Sequence, residues 1–136
     1  MKYMLMMRYG APPDVTEKHG EMTTWPPEDV KRHIEFQHRT NRELTESGEL
    51  VDEQGLGGPD VAKIVRAGAD GLPAVTDGPF PESKEFLAGY RIVDVESQER
   101  AIEIAAAMSA APGRGGAPLN IPIEVQPVMA APDPDA

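Results

Sequence analysis

The chain has 136 residues, enough for one domain with its own core. Thirteen Lys and Arg against twenty-three Asp and Glu give a formal charge of −10, which argues against a protein that coats nucleic acid or an anionic membrane. The absence of cysteine excludes a disulfide framework, a thiolate metal site and a cysteine nucleophile, and no apolar run reaches the roughly 20 residues of a membrane helix. The apolar opening from Met1 to Met7 runs straight into Arg8 and Tyr9, too short for a signal-peptide core, so a soluble, cytoplasmic protein is expected.

Residues 2–9 read as a central strand, with Tyr3, Leu5 and Met7 on one face and Met4 and Met6 on the other. Residues 10–25, broken by Gly10, Pro12, Pro13 and Gly20, read as a surface loop that holds His19. Pro26-Pro27 then opens a helix over 27–47, with Thr24 as cap, Glu28 and Asp29 at its positive end and Gly48 as its stop. Val30, Ile34, Asn41 and Leu44, with Gln37 or His38 between them, mark its inner side, and His33 reads as exposed. Strands at 49–55 and 61–67 flank a turn at 57–60 as a hairpin, and a second turn at 68–72 leads to a short strand ending at Asp77.

Residues 86–95 carry the strongest strand signal. A helix over 97–110 follows, capped by Ser97, with Ala101, Ile102, Ala105, Ala106 and Met108 on its apolar side. Gly113 to Pro118 reads as a mobile linker, and 121–128 as a last strand in which Pro122 marks a sheet edge or the strand's first residues. Residues 130–136 form a Pro/Asp tail expected to be disordered, leaving a single domain over 1–129. Without the extra hairpin the order is βαββαβ, a ferredoxin-like α+β fold: an antiparallel sheet with two helices on one face. The other face, carrying Met4 or Met6, calls for a second copy, hence a homodimer.

The stretch 76–90, Thr-Asp-Gly-Pro-Phe-Pro-Glu-Ser-Lys-Glu-Phe-Leu-Ala-Gly-Tyr, resembles the defining segment of the DGPF-domain proteins within the YCII-related family. The Met-Lys-Tyr-Met-Leu-Met-Met start, the Glu-Ser-Gly-Glu-Leu stretch ending at Leu50, and residues 101–106 and 123–128 are similar to other parts of that family. The resemblance implies a dimeric α/β barrel built from ferredoxin-like subunits. For YCII-related proteins it also implies acid–base chemistry by a His–Asp pair in a pocket. Some members are labelled transcription-related because their genes neighbour sigma-factor genes.

Asp77 is the carboxylate that this pattern singles out. An Asp-Gly-Pro-Phe turn has a purely structural reading, because Asp bonds its own backbone, Gly takes positive φ and Pro fixes the next φ. Its functional reading is a general acid or base aimed into a cleft between sheet and helix. His33 and His38 lie five apart, about 140° around a helix, so they do not form a two-histidine metal site. The family's helix histidine corresponds to Gln37, with His38 beside it as the candidate partner of Asp77. Lys84, between Glu82 and Glu85, forms ion pairs or meets an anionic ligand. Tyr90 and Arg91 face opposite sides of their strand, and either side is open to a pocket or a dimer contact.

The sequence has no phosphate loop, nucleophile elbow or metal-ligand cluster, so no cofactor or metal is expected. Two readings stand. One is a homodimer that binds a small organic molecule, with Asp77 and His38 catalytic and Tyr90, Lys84 and Gln37 in the pocket. The other is a non-catalytic binding or regulatory module whose turn is structural.

Overall fold

The computed structural model describes residues 1–77, 86–131 and 133–135. Strand β1 (Lys2–Tyr9) is apolar on both sides and lies in the interior of a sheet, between β5 (Phe86–Asp94) and β6 (Glu124–Pro127). Strand β2 (Leu50–Gly55) adds to the far side of β5, giving the order β2-β5-β1-β6 with every pairing antiparallel. Helix α2 (Pro27–Glu46) joins β1 to β2, and α3 (Gln98–Ser109) joins β5 to β6. This is the expected α+β fold with ferredoxin-like strand order.

Residue alternation decides what packs where. Tyr3 and Leu5 face Val93 and Arg91 across the β1–β5 pair, and this is the side the two long helices cover. Leu5 and Val93 are 0% exposed and pack with Leu44 of α2 and with Ala101, Ile104, Ala105 and Met108 of α3. Those α3 positions follow the i, i+3, i+4, i+7 spacing of one helix face. Ile102, expected on that face, points to solvent, and Ile104 takes its place. Met4 and Ile92 pair across the opposite face.

Helix α2 ends as its sequence predicts. Gly48 adopts φ 78°, and its N–H and that of Glu49 donate to the carbonyls of Thr45 and Leu44, closing the last turn. Ser97 caps α3, its Oγ accepting from the Arg100 N–H at 3.2 Å. At the start of α2, however, Pro26 occupies the cap position and Thr24 makes no cap bond to the helix.

Several other expectations are corrected. Residues 10–25 are not a bare loop: Pro12 and Pro13 start a helix, α1 (Pro13–His19), whose Val15 and His19 are buried four residues apart. The strands at 49–55 and 61–67 do not pair with each other. Strand β3 (Lys63–Ala67) pairs instead with β4 (Pro73–Asp77) across the 68–72 turn, in register from Lys63 opposite Asp77 to Ala67 opposite Pro73. The last strand begins at Glu124, beyond Pro122. Ile34 is exposed on α2, and His33, expected outside, is half-buried.

The segment after α3 is likewise no free linker. The Arg114 N–H donates to His19 Nδ1 at 3.1 Å, and the Arg114 side chain donates to the His19 carbonyl and to Thr24 Oγ1. The Gly115 N–H donates to Asp29 Oδ2 at 2.9 Å, with Gly115 and Gly116 at positive φ. Ala111 and Leu119 join Val15 and Trp25 in a second small core beneath this turn. The turn thus ties α1, the start of α2 and the end of α3 together.

Two outcomes follow from this packing. A Cβ at Gly113 would stand 2.7 Å from Leu119 Cδ2 and against the His19 ring. Gly113→Ala is therefore expected to lower unfolding stability by about 1–3 kcal/mol in urea titration, the usual range for overpacking. Glu49 is held below its ordinary carboxylate range chiefly by two hydrogen bonds from Arg100, at 2.8 and 2.9 Å. The fold favours its ionised form, so this stabilisation is complete above the ordinary carboxylate pKa and disappears as pH falls through the lowered one. Glu49→Gln should cost about 0.5–1 kcal/mol near neutral pH, and the gap to the natural chain should narrow as pH falls below the ordinary carboxylate range.

Candidate functional site

Between α2 and the helix-facing side of the sheet lies a cleft of about 430 Å³. Its helix wall is set by three residues spaced four apart, His33, Gln37 and Asn41, which helical geometry places on one face. Its sheet wall comes from Met7 of β1, Glu53 and Gly55 of β2 and Arg91 of β5. Met22, Leu119 and Ile121 close one side with apolar surface.

Arg91 is the centre of this arrangement. Its side alternates with that of Tyr90, so the guanidinium lies on the covered face of the sheet, and the residue is only 4% exposed. Nε donates to Asn41 Oδ1 at 2.8 Å, and Nη2 donates to Gln37 Oε1 at 2.8 Å and to the Gln37 carbonyl at 3.4 Å. Burial lowers the pKa of Arg91 from its usual value, while the charge of Glu53 acts in the opposite direction. A guanidinium so held remains a cation. Among the described residues, no carboxylate comes within ion-pair distance of it.

These contacts orient the rest of the wall. Because Gln37 Oε1 accepts from Arg91, its amide nitrogen turns to His33 Nε2, at 3.3 Å. An amide N–H donates, so His33 Nε2 accepts. The ring proton then sits on Nδ1, which donates to the Pro112 carbonyl at 3.0 Å. The edge-on contact between Trp25 and the His33 ring, with centroids 5.8 Å apart, fixes the imidazole plane. The turn that follows Pro112 therefore sets the histidine's tautomer from outside the cleft.

The residues singled out by the sequence divide between two places. Gln37, His38 and Tyr90 all border the cleft. Gln37 is half-buried and bonded on both sides, whereas His38 is exposed. The Tyr90 hydroxyl donates to Asp52 Oδ2 at 3.0 Å, and the carboxylate's acceptance of that bond raises the phenol pKa. Asp77 stands elsewhere, at the end of β4. Its carboxylate is ion-paired with Lys63 of β3, and its side chain is 89% exposed. Lys84 and the turn after Asp77 lie outside the described residues.

His33, Asn41 and Arg91 form the polar centre, though the sequence reading placed His33 outside and gave Asn41 no chemistry. The signal available was the spacing His33, Gln37, Asn41, together with an arginine in the middle of the apolar strand β5. No group of three His, Cys, Asp or Glu suited to a metal ion occurs among the described residues, and none of their helices is long and apolar enough to cross a membrane.

The YCII-related domain family matches residues 1–116, a span from the first strand through the turn that anchors His19. An uncharacterised protein of Rhizobium meliloti (strain 1021) is 31% identical over 87 residues, covering 64% of this chain and 69% of that protein. With a ferredoxin-like strand order and a family match over most of its length, the chain belongs to the YCII-related family.

Proposed function

We propose that this chain is a small-molecule-binding domain that works as a homodimer, its ligand held in the cleft between α2 and the sheet. The observation that carries this reading is the convergence of His33, Gln37, Asn41 and Arg91, from two different elements, on one concave site with an apolar flank. Gln37, His38 and Tyr90 contribute to its walls. The His33 ring and the Gln37 amide bond to each other, so His33 shapes the helix wall and holds the Gln37 oxygen toward Arg91. This reading gives Asp77 no chemical role, since Lys63 takes up its carboxylate on an exposed hairpin.

Gly55 offers a direct test. It lines the cleft on an edge strand, and a Cβ there meets nothing within 4 Å. Gly55→Phe should fold normally and abolish the chemical-shift changes that cleft-binding fragments cause in the natural chain. Fragments that bind the variant as tightly as the natural chain would overturn the reading.

The dimer is supported by the β3–β4 ribbon. All ten of its residues are exposed, and Val65 and Val75 pair on one of its faces. A two-stranded ribbon is marginal in water unless something covers it, and a second copy is the simplest cover. Light scattering at micromolar protein should give about 29 kDa, twice the 14.7 kDa chain, and Val75→Asp should reduce it to the monomer. A stable monomer of the natural chain would reject the dimer.

A further inference from the structure

We infer that the cleft receives a small organic monocarboxylate, its charged end on Arg91 and its apolar body against Met22, Leu119 and Ile121. The inference rests on the cleft being the binding site and names the class of ligand it takes. Its basis is an imbalance of charge. Buried arginines are ordinarily paired with a carboxylate, because hydrogen bonds alone do not offset the loss of water around a charge. Here the acceptors are the side-chain amides of Asn41 and Gln37 and one carbonyl, all neutral.

The guanidinium also has a nitrogen to spare. Nη1 donates to no described residue, yet it is not sealed from solvent; among the described residues the one buried side-chain atom without a partner is His19 Nε2. Arg91 thus offers the Nη1 N–H groups of a guanidinium whose orientation is locked by α2 and which has no carboxylate in hydrogen-bond contact among the described residues, a donor that a carboxylate oxygen can meet.

The surroundings limit the anion. Glu53 borders the same cleft and its charge is felt at Arg91. Both ring nitrogens of His33 are already engaged, by the Gln37 amide and the Pro112 carbonyl, so the ring offers an anion no donor. A second negative charge would face Glu53 and find no second Lys or Arg among the described residues of the cleft lining, which disfavours a phosphate dianion. The apolar flank suits a hydrocarbon body, which a bare inorganic ion lacks.

The experiment compares charged and neutral isosteres by protein-detected NMR titration: benzoate and hexanoate against benzamide and hexanamide, with inorganic phosphate as a further probe. The acids are expected to bind about tenfold or more tightly than the amides, as a charged hydrogen-bond pair implies. Arg91→Met should remove that preference. Because truncating a buried arginine can unfold a protein, Asn41→Asp gives an independent arm. It leaves the guanidinium in place and neutralises it from the position now held by the Asn41 oxygen, so the acids should lose their advantage while the amides bind as before. Acids and amides that shift the cleft resonances equally would overturn the carboxylate assignment and leave the binding site standing. Acid binding undiminished in Asn41→Asp, or phosphate displacing the organic acids, would overturn it as well. Probes that shift only residues outside the cleft would overturn the binding site itself.

Discussion

A guanidinium taken out of water needs oxygen acceptors at fixed places, and at Arg91 they come from α2. Asn41 and Gln37 are one helical turn apart, so their side-chain oxygens meet Nε and Nη2 of the same fork. The contact sets the rotation of α2 over the sheet more tightly than apolar packing alone would, since Val30 and Leu44 tolerate sliding and a fork does not. It also explains why a helix of moderate hydrophobicity holds its place. Leu44 is its only buried aliphatic residue, and much of its inner side is polar.

From Arg91 a chain of donors and acceptors runs outward. Each link fixes the next: the arginine turns the Gln37 amide, the amide makes His33 Nε2 an acceptor, and the imidazole proton goes to the Pro112 carbonyl. Pro112 is held in turn by the segment beyond it, where Arg114 and Gly115 are tied to His19, Thr24 and Asp29. The glycines of that segment are needed for positive φ and for close approach to the His19 ring rather than for mobility. Its structure therefore bears on the protonation geometry of a side chain in the cleft.

The β3–β4 ribbon belongs to a different part of the molecule. It forms its own two-stranded sheet, and Asp77 at its end is engaged with Lys63 directly across the pair. An opposite-charge pair across neighbouring strands contributes modestly to such a ribbon. The carboxylate made prominent by its sequence context thus serves local pairing among the described residues, while the less conspicuous amides of α2 build the cleft.

By itself the sequence determined the types and order of the elements of the main sheet and its two long helices, because these follow from local rules: apolar runs of strand length in β1 and β5, prolines at the start of α2, Gly48 beyond its end and Ser97 at the cap of α3. From that order the ferredoxin-like sheet follows, since short connections and antiparallel pairing leave few alternatives. Tertiary structure decided what those rules do not encode. The partner of β3 was one of two strands joined to it by short turns, a choice that turn length did not make, and the burial of His19 and His33 depended on a segment nearly eighty or more residues away in the chain. The cleft was legible only in part. Gln37 was visible as a helix position and Arg91 as a charge in an apolar strand. That they meet depends on how α2 lies across β5, and this is fixed by long-range hydrogen bonds that local sequence patterns do not specify.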